Sequence, residues 1–231
     1  MKARPVSYFY RARLCSNTDM KLIALTLAVI LAACSEPPAE TATKPESAPV
    51  AGERLLAQPP QGWKLTYSTD IANMSLSTYV PDDHDPDDWR EKITIERVSG
   101  DPLDPIELLL GLADDQEATC DEFNHQNTFS GLENGYPTSV RIFVCNNNPL
   151  LKMGQVTLIK AIQGTEYSYI VTRSKRMPPF EGGNLPLSEE EMGGWSLYLR
   201  AIKACNPDQL EHQCPVQKQP DTSEASADLP A

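Results

Sequence analysis

The chain has 231 residues, 40% of them hydrophobic and 23% charged, with a formal net charge of -12. That length suits one domain of ordinary size, and the composition argues against a bundle of membrane-spanning helices. The charge is unevenly placed: residues 1–33 hold Lys2, Arg4, Arg11, Arg13 and Lys21 against Asp19 alone, a net +4, which leaves -16 on the rest. So acidic a body argues against nucleic acid as a partner, because that affinity comes mainly from Lys and Arg neutralising phosphates. It serves plain solubility first, and it also suits a cationic partner, whose encounter a field of opposite sign accelerates.

From Met20 the chain reads MKLIALTLAVILAAC: one Lys, an apolar run from Leu22 to Ala33 interrupted only by Thr26, then Cys34. A run of about twelve residues is too short to span a bilayer, which needs about twenty, but it is the length of the apolar region of an export signal. Leu31-Ala32-Ala33-Cys34 resembles the lipobox of bacterial lipoproteins, in which the Cys thiol receives a diacylglycerol and the chain is cleaved just before it. The resemblance implies that residues 1–33 are a signal region, with translation beginning at Met20, and that Cys34 is the lipidation site. It also implies three acyl chains at the mature N-terminus. Since two chains already hold stably, three make a permanent membrane anchor. Ser35 stands where an Asp would retain the protein in the inner membrane under enterobacteria-like sorting, so the implied address is the outer membrane, with the body facing the periplasm.

Residues 34–61 follow as a lipidated tether. They are rich in Pro, Ala, Glu, Ser and Thr with one apolar pair, Leu55-Leu56, and too little apolar surface is present to offset chain entropy, so disorder is expected. Residues 216–231 read as a second disordered tail, leaving a folded domain over 62–215.

Within that domain, alternation predicts strands at Trp63–Ser68, with Trp63, Leu65 and Tyr67 on one side, at Asn73–Val80, and near Trp89–Val98. Asp104-Pro105-Ile106-Glu107 opens a helix: an Asp cap, Pro at the first helical position and Glu three residues after the cap. Ile106, Leu109, Leu110 and Ala113 form its expected apolar face. Two hairpins come next. Asn134-Gly135 is a type I′ turn signal between Thr128–Glu133 and Tyr136–Cys145, and Gly164-Thr165 reads as a type II′ turn joining Gln155–Gln163 to Glu166–Arg173. A second helix starts at Ser188, with Glu189 to Glu191 at the positive end of its dipole and Met192, Trp195, Leu199 and Ile202 at helical spacing. Arg200 and Lys203 are placed near its negative end, and Asn206-Pro207 is the expected stop. The fold class is therefore α+β, an antiparallel β-sheet with two main helices packed against it as a sandwich. The order of elements resembles the PsbP-like fold.

Once Cys15 leaves with the signal and Cys34 is acylated, Cys120, Cys145, Cys205 and Cys214 remain. An even count in an exported domain favours disulfides, and four cysteines allow three pairings; the favoured one is Cys120–Cys145, tying the first helix's exit to a strand, with Cys205–Cys214 closing a short loop after the last helix. The alternative is a metal site, since His125 and His212 lie near cysteines. No Cys-x-x-Cys spacing supports it, so no metal is expected.

The sequence points to no catalytic residue and to no cofactor. The stretch Asp82-Asp83-His84-Asp85-Pro86-Asp87-Asp88 lacks the glycine and the terminal Glu of a calcium loop and reads as a solvated turn. No nucleophile elbow, zinc-helix motif or phosphate-cradling loop is present. Lys160 and Arg173, on the two strands of one hairpin, are the candidates for a basic patch on a partner surface, with pairing to Glu166 as the alternative.

The segments Trp89–Ile95 and Lys160–Gly164, with Trp195, Cys205 and Cys214-Pro215, are similar to a family of uncharacterised exported bacterial proteins, a resemblance that implies a class and no mechanism. The functional reading is a non-enzymatic binding or structural module of the envelope, fastened to the membrane by its lipid and engaging a protein partner. The rival readings are an inhibitor or immunity-type protein neutralising a cationic hydrolase, and an envelope hydrolase with a scattered carboxylate site.

Overall fold

Period-two alternation carries seven segments of the chain into one sheet. The computed structural model describes residues 51–181 and 185–215; the signal region, Cys34 and the 216–231 segment lie outside the described residues. The elements are β1 (Arg54–Leu56), β2 (Trp63–Ile71), β3 (Met74–Pro81), β4 (Glu91–Ser99), α1 (Pro105–Glu117), β5 (Phe123–Glu133), β6 (Tyr136–Asn148), β7 (Met153–Gln163), β8 (Tyr167–Met177), α2 (Glu189–Ala201) and β9 (Lys203–Cys205). Seven strands form an antiparallel sheet in the order β2-β3-β4-β8-β7-β6-β5, and β1 pairs with β9 in a separate ribbon. The class is α+β, as the order of elements predicts.

Both helix starts follow from their caps. The Asp104 carboxylate accepts from the N–H groups of Ile106 and Glu107, and Ser188 forms a reciprocal capping box with Glu191. The stripe α1 buries is Pro105, Leu109 and Ala113, with Leu108 and Leu112 beside it. Ile106 and Leu110, expected on that face, are exposed. This layer sits on Phe143, Ile159, Ala161 and Ile170. On the opposite face, Trp195, Leu199 and Ile202 pack on Ile142, Val156, Leu158 and Val171. Because successive side chains of a strand point to opposite faces, β7 serves both layers, and every residue from Val156 to Ile162 is buried.

Two expectations about the strands and turns need correction. A register shift between Leu65 and Tyr67 sets Leu65 opposite Tyr79 and Tyr67 opposite Thr78; the bulge turns Tyr67 to the other face, so Trp63, Leu65 and Tyr67 do not share a side. The Asn134-Gly135 turn does have both residues at positive φ, 51° and 81°, as type I′ requires. Gly164 does not have positive φ, so the Gly164-Thr165 turn is not type II′. Glycine is needed there for approach: a Cβ on Gly164 would stand 2.0 Å from Glu53 Oε1.

Glu53 is also why the tether does not run to residue 61. Its buried carboxylate accepts from the N–H and hydroxyl of Thr165 at 2.5 and 2.6 Å. Burial first, and then the Glu53 charge, pushes Tyr136 up to about 12 and raises Tyr169 as well. Immediately after Glu53, Arg54, Leu55 and Leu56 pair with Cys205, Ala204 and Lys203. The Leu55-Leu56 pair is thus a strand whose partner is supplied by the far end of the domain. That same pairing takes Lys203–Cys205 out of α2, which ends at Ala201 rather than at Asn206-Pro207.

Replacing Glu53 by Ala would leave the Thr165 donors without their ionised acceptor. We expect Glu53→Ala to cost about 3 kcal/mol, read as a lower urea midpoint with an unchanged slope.

Candidate partner-binding groove

The chain of residues from Phe123 to Glu133 contains no Lys, Arg or Pro and ends the sheet at one side, so among the described residues one row of its backbone groups has no neighbouring strand. From Asn124 to Leu132 it is exposed. A groove of about 750 Å³ lies against its first half, lined by Glu122, Phe123, Asn124, His125 and Gln126, by Ile142 and Val144 of β6, and by Phe180, Glu181 and Leu185 from the connection between β8 and α2. Side chains along a strand alternate between faces, so five consecutive residues line one cavity only where it follows the strand's edge. Asn124 stands opposite Val144 and Gln126 opposite Ile142, which puts the apolar floor on the α2 side of the sheet.

The rim is acidic and well held. Glu122 accepts from Asn146 Nδ2 at 3.0 Å, while its own N–H donates to Asn146 Oδ1 at 2.9 Å. His125 stacks on Phe123, with centroids 5.7 Å apart, and its Nδ1 lies 3.0 Å from Arg141 Nη1. Among the described residues, no Lys or Arg lines the groove.

The four body cysteines form two disulfides, Cys120–Cys145 and Cys205–Cys214, with Cα atoms 5.6 and 4.8 Å apart. Their sulfurs are bonded to each other, and neither nearby histidine is engaged with them: His212 stacks on Tyr136 at 4.0 Å and its Nδ1 meets Asn134 O at 2.9 Å. The 82–88 stretch is exposed apart from a half-buried His84, and Asp85 accepts from Asp87 N–H at 2.9 Å, an Asx turn.

Lys160 and Arg173 are not a basic surface patch. The Lys160 side chain has no exposure at all; its ammonium pairs with Glu133 and donates to the carbonyls of Leu199 and Ile202 at 2.9 and 2.7 Å. Burial pushes its pKa below the ordinary lysine value, against the pull of Glu133. Arg173 is 16% exposed and bonds Glu91 at 3.3 Å. Its guanidinium lies over the rings of Trp195, Trp63 and Tyr198, 5.2 to 5.8 Å from their centroids. Glu166 partners neither. Cations that do meet on one ring are Lys92 and Arg176, 4.1 and 3.7 Å from the centroid of Trp89; burial first, then Arg176, lowers the Lys92 pKa.

No family model and no curated protein matches the chain, so the similarity of its central segments to an exported family has no counterpart there. Several solved structures resemble it weakly, two of them as follows. The crystal structure of LpqN, involved in cell envelope biogenesis of Mycobacterium tuberculosis, is 13% identical with a TM-score of 0.40, over 69% of this chain and 87% of that one. The Saccharomyces cerevisiae Ran-binding protein Mog1p is 12% identical with a TM-score of 0.35, over 64% of this chain and 85% of that one. Likenesses this low transfer no activity.

Two outcomes follow from these environments. Amine-reactive labelling of the native protein should modify exposed Lys152 and Lys203 and spare Lys160, and Lys160→Met should cost about 3 kcal/mol because two buried carbonyls lose their donor. The Lys175 hydrogen bond, followed by the Ser188 N–H, holds Glu191 at about 2, below its ordinary 4.5. A depressed carboxylate stabilises the fold above its unfolded pKa and less as pH falls through its folded one. Stability should therefore decline between pH 4.5 and about 2, and Glu191→Gln should flatten that part of a denaturation-versus-pH curve.

Proposed function

We propose that the protein is an envelope lipoprotein, anchored through Cys34, whose body is a non-enzymatic binding module for a cationic protein. The observation that carries the binding reading is the groove: an apolar floor of Ile142 and Val144, an acidic rim of Glu122 and Glu181, and no lining cation among the described residues. A field of one sign speeds encounter with the opposite sign and rejects like-charged competitors. Both disulfides fit an oxidising compartment, and the Leu31–Cys34 segment supplies the lipobox. On this reading three acyl chains fix the protein to the outer membrane, and the residues before Glu53 set how far the groove stands from the lipid.

An inhibitor or immunity-type protein neutralising a cationic hydrolase is the narrower form of this reading, and the same acidic rim favours it. Its added expectation is inhibition of a basic envelope enzyme that weakens with salt.

A photo-reactive side chain placed at Gln126 should give, in intact cells, one salt-sensitive adduct with a basic protein, whereas the same group at exposed Asp115 of α1 should give none. Equal adducts at both positions, or none at either, would remove the groove as the binding site. Fatty-acid labelling should mark the wild-type chain, and Cys34→Ala should release it from membranes; an unlabelled chain, or a variant still held, would remove the anchor.

A further inference from the structure

We infer that the groove takes its partner by strand addition: an extended cationic segment pairs with the Phe123–Asn127 half of β5 and seats an apolar side chain against Ile142, Val144, Phe180 and Leu185. The inference rests on the binding-module reading above and specifies its mode.

The two edges of the large sheet are protected to different degrees. Natural sheets blunt an edge with charges, prolines or bulges, because unpaired backbone groups otherwise template another strand. At β2, Lys64 and Asp70 sit on the edge and a bulge falls between Leu65 and Tyr67. At β5 the irregularity falls between Asn127 and Phe129, so Phe123–Asn127 is a regular stretch with no Asp, Glu, Lys or Arg. This unguarded half is the part the groove follows.

Register sets what the added strand meets. Alternate side chains of an added strand fall on the face that carries Asn124, Gln126, Val144 and Ile142, where Phe180 and Leu185 complete an apolar seat. Main-chain bonds would supply affinity and the seat would supply selectivity, the usual division in this mode of recognition. Charge chooses the occupant. Glu122 and Glu181 line the cleft, and the nearby cation Arg141 is engaged with His125. A second copy of this chain would bring its own Glu122 and a body of the same sign, which disfavours self-pairing.

The test uses the full mature chain from residue 34, labelled with nitrogen-15, and the heptapeptide Lys-Val-Lys-Val-Lys-Val-Lys. Two analogues carry N-methyl groups on either the valine or the lysine amides, each blocking one edge of the peptide. The parent should shift the amides of Phe123–Asn127 and bind more weakly as salt rises. One analogue should lose about tenfold or more in affinity while the other binds like the parent, since only one edge of an added strand faces β5. Asn124→Lys/Gln126→Lys, at exposed positions and with an unchanged thermal transition, should lose the cationic peptide and accept its Glu-Val counterpart. Equal behaviour of the two methylated peptides, shifts mapping elsewhere, or no binding of the parent would overturn strand addition. The photo-adduct at Gln126 is read separately, so the mode can fail while the groove stands.

Discussion

The buried ammonium of Lys160 is the interaction on which the rest of the body depends. A charge withdrawn from water is costly unless acceptors surround it, and here the Glu133 carboxylate and the carbonyls of Leu199 and Ile202 do so. Those carbonyls are the negative end of α2, which carries no Lys at its last turn and only an exposed Arg200. One side chain on a central strand therefore terminates the helix, fixes it over β7 and ties it to the last residue of β5. Ile202, released into extended geometry, starts the turn into β9, and β9 recruits β1.

Around that point the closing elements are mutually dependent. β1 has three residues, too few for a hairpin to persist alone. It is held by the Glu53 carboxylate on the Thr165 turn, by pairing with β9, and by Leu55 lying against the Trp195 and Tyr136 clusters. The Cys205–Cys214 bridge closes the loop after β9, and His212 from that loop stacks on Tyr136. The segment leading to the membrane anchor, on the reading proposed here, thus enters the domain through a buried lock.

At the other end, the start of β5 is tied to β6 by a disulfide and by polar bonds. The Cys120–Cys145 bridge holds β6 at the position opposite Phe123. Paired side-chain bonds join Glu122 to Asn146 and Asp121 to Asn147. An edge already held straight loses little further entropy when a strand is laid beside it, the general advantage of a preorganised site. The disulfide and the Asn ladder therefore serve the surface as well as the stability of the fold.

How much of this was legible in the sequence depends on the range of the interaction concerned. Caps at Asp104 and Ser188, the Asn134-Gly135 turn, the strand alternation and the even cysteine count are local or countable, and they determined the helix starts, one hairpin, the α+β class and the expectation of disulfides; which of three pairings forms was decided by the fold. The polar front of β5 escaped because a strand exposed on both faces has no hydrophobic period, and its only signal was the absence of Lys and Pro. Leu55-Leu56 looked too small to fold because its partner lies at Lys203–Cys205. Lys160 and Gly164 were misread for a shared reason: a lysine on a strand and a glycine in a turn have ordinary local explanations. Only the packed structure, by bringing α2 and Glu53 against them, decided that one is a buried clasp and the other a gap cut for a carboxylate.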